Sequence, residues 1–140
     1  MGRVSDPRAN TGAVQAGAVP RRMQAPVTLY GIPNCDQVKL ARQWLAAHQV
    51  DYIFHDFKKQ GLSAALARRW LDTLGAERVI NRKGTTWRGL DDARKALVDK
   101  ASGAIAVLTE HPSLVKRPVL ERNRTLTTGF DAARYAALFP

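Results

Sequence analysis

The apolar positions of this chain change period several times, and each change marks a unit of structure. Val27 to Tyr30 is a short apolar run that leads into Gly31-Ile32-Pro33, the pattern of a buried strand and a tight turn. From about Cys35 to His48 the period lengthens. Val38, Ala41, Trp44 and Leu45 fall on one helical face, with Lys39, Arg42 and Gln43 elsewhere. Tyr52 to Asp56 reads as a second strand, so the opening forms a βαβ unit with a right-handed crossover. A helical middle follows. Ser63 caps a helix to about Leu74, with Leu66, Trp70, Leu71 and Leu74 as its buried stripe, and Gly75 ends it. Val79 to Gly84 is a short turn of helix or a loop that carries Arg82 and Lys83. Leu90 to Lys100 and Ser102 to Glu110 are two further helices, and Pro112 marks the break after them. The period then shortens again. Arg117 to Glu121 and Thr125 to Thr128 pattern as strands joined by the polar turn Arg122-Asn123-Arg124. Gly129 closes the sheet, and Asp131 caps a final helix in which Ala133, Ala136, Ala137 and Leu138 recur.

The order β-α-β, helices, β-β-α predicts an α/β thioredoxin-like fold. Its four-stranded mixed sheet carries a helical insertion between the βαβ and ββα halves, with the Cys35 loop at one end. Residues 1–25 stand apart, being rich in Gly, Pro and small residues with no aromatic and no periodicity. They are expected to form a disordered tail ahead of one domain over residues 26–140.

Composition narrows the function. The chain has 140 residues and one cysteine, which excludes an intramolecular disulfide framework and points to a reducing cytoplasm. No apolar run is long enough to span a membrane. The net charge is +10, of which the tail supplies +3 through Arg3, Arg8, Arg21 and Arg22 against Asp6. Such a charge suits anionic substrates or acidic partners, and much of it is ordinary surface. Nucleic-acid binding is disfavoured, because aromatic residues make up 7% and no basic stripe alternates with them.

Cys35 is the candidate nucleophile. Asn34 is a good N-cap and Gln37 follows three residues later, as in a capping box, which makes Cys35 the first helical residue. Free backbone N–H groups and the helix dipole at that position favour a thiolate. A lone cysteine is also at home as a small buried hydrophobe, and spacing alone leaves both roles open. His48, His55 and His111 show no metal-ligand spacing, so neither a metal site nor a bound cofactor is expected. Trp44 and Trp70 belong to apolar faces. Trp87 either lines a pocket or packs under its loop.

Four segments in order resemble the arsenate reductase (ArsC)-like family, with the YffB and Spx branches as the nearest match. They are Thr28 to Asp36, Val79 to Gly84, His111 to Val119 and Leu126 to Asp131. The resemblance covers residues 26–140. It implies a Cys35 nucleophile, a cis Arg117-Pro118 bond facing it, and substrate- or glutathione-binding roles for Asn34, Arg82, Arg117 and Pro118. Guanidinium forks suit carboxylates and oxyanions. It further implies a monomeric glutathione-coupled thiol or oxyanion reductase, with glutathione as co-substrate and glutathione or a glutaredoxin as partner. Its substrate would be a small anion or a disulfide. The Spx branch implies the alternative of a regulator that binds RNA polymerase. Two departures matter. Thr128 stands where arsenate reductases carry a third arginine, which weakens arsenate as substrate. Val38 stands where Spx proteins often carry the second cysteine of a Cys-x-x-Cys pair, so any catalytic disulfide must form with an external thiol.

Overall fold

The computed structural model describes residues 26–140, so the tail expected over residues 1–25 lies outside the described residues. Strand β1 (Val27–Gly31) leads into helix α1 (Asp36–Ala47) and strand β2 (Ile53–Asp56). A helical stretch follows: α2 (Phe57–Gln60), α3 (Ala64–Leu74), α4 (Ala76–Val79), α5 (Thr85–Arg88), α6 (Asp92–Leu97) and α7 (Ala101–Glu110). A 3-10 turn at Pro112–Leu114 leads to β3 (Val119–Arg122), β4 (Thr125–Thr128) and α8 (Ala132–Leu138). The strands form one mixed sheet in the order β2-β1-β3-β4. β1 pairs with β2 in parallel and with β3 antiparallel, and β3 pairs antiparallel with β4. This is the thioredoxin-like arrangement with a helical insertion.

Alternation along the strands splits the core in two, one layer on each face of the sheet. Leu29 and Leu120 are register partners and pack with Val27, Ala41, Leu45 and Tyr135, under α1 and α8. Tyr30 and Val119, the next pair, join Trp70, Val79, Val107, Leu108 and Leu114 from the insertion. Helix α1 forms because Val38, Ala41 and Leu45 recur on one face, and all three are buried. In α3 the Ser63 hydroxyl accepts from the Leu66 N–H at 3.1 Å, while Ala67 and Trp70 are buried and Leu66, Leu71 and Leu74 pack partly against them. Gly75, at φ 85°, ends it.

Several boundaries differ from expectation for identifiable reasons. The helix expected over Leu90 to Lys100 spans only Asp92–Leu97, because the Asp91 carboxylate accepts from the Arg94 N–H and starts it late. Strand β3 starts at Val119 and not at Arg117, since Pro118 has no N–H to give a ladder. The recurring alanines of α8 are exposed, and Tyr135 is the residue it buries. Three four-residue helices, α2, α4 and α5, carry too few residues to leave a period.

Candidate active site

The turn after β1 sets the position of the cysteine. The Cys35 N–H donates to the Ile32 carbonyl at 3.2 Å, closing a tight turn, and the Cys35 carbonyl accepts the Lys39 N–H at 2.9 Å. Cys35 has extended dihedrals, φ −84° and ψ 131°, and is itself the N-cap of α1. This corrects the expected capping box. Asn34 is held inside the turn and exposed, no side chain caps α1, and helical geometry begins one residue later, at Asp36. The N-cap is the position from which a side chain reaches the free N–H groups of the first turn. The shift therefore keeps the half-buried sulfur at the electropositive end of the helix.

Register brings Arg117 and Pro118 to the same end of the sheet. Tyr30 is the partner of Val119, so the chain leaving β1 towards Cys35 and the chain entering β3 through Arg117-Pro118 lie side by side. The Arg117-Pro118 bond is cis. The buried Pro118 offers its carbonyl to the Gly129 N–H at 2.9 Å, which ties the end of β4 to the same place.

Arg82 arrives from the insertion. Ile80 and Val115 form an isolated antiparallel bridge, flanked by Asn81 N–H to Leu114 carbonyl and Lys116 N–H to Val79 carbonyl, both at 2.7 Å. The insertion is thus stitched to the segment that runs into Arg117. The Asn81 side-chain oxygen accepts from the Lys83 N–H at 3.1 Å and turns the chain outward. Arg82 is exposed there, its guanidinium 5.2 Å from the centre of the Trp87 ring. Trp87 sits on α5, packs partly against the core and also lies 5.9 Å from the Lys95 ammonium. An open cleft of about 470 Å³ is lined by Glu77, Ile80, Asn81, Arg82, Lys83 and Lys116. Neither Cys35 nor Arg117 lines it. The fold thus gathers Cys35, Asn34, Arg117 and Pro118 at one sheet end and sets Arg82 on a basic cleft reached through Lys116.

The profile of the ArsC family matches residues 30–138, a span that takes in the Cys35 turn, the Arg82 segment and Arg117-Pro118. The chain belongs to the ArsC family. A solved YFFB protein is 44% identical, with a TM-score of 0.77 over 81% of this chain and 99% of that one. An arsenate reductase (ArsC) related protein from Brucella melitensis is 49% identical, with a TM-score of 0.64 over 81% of this chain and 94% of that one. The global transcriptional regulator Spx of Streptococcus pyogenes is 29% identical over 75% of this chain and 78% of its own length.

Against the ArsC pattern, Thr128 contributes no charge of its own. The structure brings one to it: Arg134, in the first turn of α8, donates from Nη2 to the Thr128 carbonyl at 3.0 Å. The sequence names Lys83 only as a neighbour of Arg82, and nothing in it distinguishes Arg134, Lys83 or Lys116 from other basic residues as part of a site. The cap at Asp131 fixes the place of Arg134 in the first turn of α8, but not where that turn lies against β4. Among the described residues no group of three His, Cys, Asp or Glu could hold a metal ion, and no helix is long and apolar enough to cross a membrane.

Proposed function

We propose that this ArsC-family chain is a single-cysteine, glutathione-coupled reductase acting on a disulfide or a small oxyanion. The observation that carries the reading is Cys35 at the N-cap of α1, at the sheet end reached by Arg117-Pro118. On a disulfide, the Cys35 thiolate displaces one sulfur as a thiolate and keeps the other in a mixed disulfide. Glutathione then attacks that bond, frees Cys35 and leaves as a new disulfide, so the two electrons come from external thiols. The chain holds no second cysteine to do this itself. Asn34, Arg82, Arg117 and Pro118 would line the approach, with the two guanidinium groups taking up carboxylates or oxyanions. The kinship with an ArsC-related protein supports an oxyanion, and the uncharged Thr128 weighs towards a disulfide.

The deciving comparison is turnover of arsenate and of glutathione mixed disulfides, each with glutathione, by the native chain and by Cys35→Ser. The variant should fall to the uncatalysed rate. Full activity in Cys35→Ser would sink the mechanism.

The Spx relative favours a second reading, a regulator that docks on RNA polymerase. It needs a surface and not a reactive thiol, so polymerase capture should survive Cys35→Ser. Purified polymerase that retains none of the chain would exclude it.

A further inference from the structure

We propose that Arg134 is a specificity-determining residue of the Cys35 site, drawing anionic reactants towards the sulfur. The inference rests on Cys35 being the reacting nucleophile, and its argument is geometric.

Tyr30, Val119 and Thr128 are register partners across three adjacent strands, β1, β3 and β4. Adjacent strands lie about 4.8 Å apart, so Thr128 sits about 10 Å across the sheet from the point where β1 leads towards Cys35. The Arg134 guanidinium is anchored at Thr128, on the same end of the sheet, by its bond to the Thr128 carbonyl at 3.0 Å. It also lies 3.8 Å from where a Cβ on Gly129 would be, and Gly129 is the residue whose N–H bonds Pro118. The anchor occupies one of the five donors of the guanidinium. Among the described residues Arg134 makes no ion pair. The nearest carboxylate along the chain, Asp131, is turned to the Arg134 backbone N–H at 3.1 Å. Helices α1 and α8 pack on the same face of the sheet, and each begins at this end. Arg134 is therefore an exposed, unneutralised guanidinium held in the first turn of α8, alongside the helix that Cys35 caps. A positive charge at that range raises the local concentration of anions, and salt weakens the effect.

The single cysteine makes this measurable without knowing the substrate. Iodoacetate and iodoacetamide both form a sulfur–carbon bond and release iodide, the thiol proton passing to water. They differ in that iodoacetate is an anion. The ratio of their rate constants at Cys35 therefore reads the local charge. At low ionic strength, Arg134→Gln should lower that ratio about twofold, as removal of a unit charge about 10 Å away in a mostly aqueous medium would. Arg134→Lys should keep most of it. Arg124→Gln removes the same charge from the hairpin turn at the opposite end of β3 and β4, and should leave the ratio unchanged. High salt should erase the differences. A ratio unaltered in Arg134→Gln, or lowered equally by Arg124→Gln, overturns the proposal. With glutathione as reductant, Arg134→Gln should raise the KM for glutathione and leave kcat alone. If the native chain turns over no substrate with glutathione yet the alkylation ratio falls in Arg134→Gln, the reductase reading fails and the role of Arg134 stands.

Discussion

A Cβ placed on Gly31 would lie 2.6 Å from Cγ2 of Val38, so the last residue of β1 and the first buried turn of α1 touch through the absence of a side chain. Val38 is fully buried and β-branched, so it has no free rotamer to give way. Gly31→Ala must therefore push α1 off the strand, and the Cys35 turn lies between the two. Overpacking of this kind costs about 1–3 kcal/mol. Urea unfolding of Gly31→Ala, Val38→Ala and the double variant should reveal coupling: the double variant should be more stable than the two single losses predict. Strict additivity would mean that the contact is not tight.

The Ser63 cap is the simplest local contribution to test. Its hydroxyl satisfies one of the orphan N–H groups of α3, the helix that supplies the buried Trp70. Ser63→Ala should lower stability by about 1 kcal/mol, and Ser63→Asp should preserve it. Equal midpoints for Ser63→Ala and the native chain would show that α3 is held by packing alone.

Elements with a long apolar period or a clean cap were legible before the fold was known. Strand β4 has the expected bounds, and Ser63 and Asp131 cap as their positions suggest. The N-cap of α1 was not legible, because Asn34 satisfies the usual preference and loses to the backbone bond between Cys35 and Ile32. A turn set by backbone geometry leaves no residue-type signature. Arg117 and its cis bond to Pro118 stood out only through the resemblance of His111 to Val119 to the ArsC-like family. The charge that Arg134 brings to Thr128 could not be read, since it depends on where α8 crosses the end of β4. The cleft beside Arg82 depends in the same way on the Ile80–Val115 bridge, which joins segments far apart in sequence.

Tyr30 should give the protein an alkaline limit. Its hydroxyl donates to Glu121 at 3.1 Å, and Arg69 of α3 pairs with the same carboxylate. Burial first, and the Glu121 charge second, push the Tyr30 pKa above its usual value of 10.0. The protonated form is thus the one the fold favours. Its contribution is complete below pH 10.0 and is lost as pH rises through the higher folded value. Stability measured from pH 8 to pH 11 should decline at the top of that range, and Tyr30→Phe should decline less. Identical alkaline slopes for the two would remove Tyr30 as a cause.

Tyr135 offers the opposite expectation, a substitution that stabilises. The residue is fully buried between α1 and α8, edge-on to Trp44 at 5.6 Å and to Phe130 at 4.9 Å. Its hydroxyl has no hydrogen-bond partner among the described residues, and burial raises its pKa strongly. A buried hydroxyl without a partner costs about 1–3 kcal/mol of lost hydration, while the ring contacts belong to the rest of the side chain. Tyr135→Phe keeps those contacts and removes the penalty, so it should raise the urea midpoint by an amount equivalent to about 1 kcal/mol. It should also weaken the alkaline decline that remains in Tyr30→Phe, because the second raised tyrosine acts with the same sign. A fall in stability on Tyr135→Phe would mean that the hydroxyl makes a bond in solution, and the packing of α8 on α1 would then owe part of its strength to that bond.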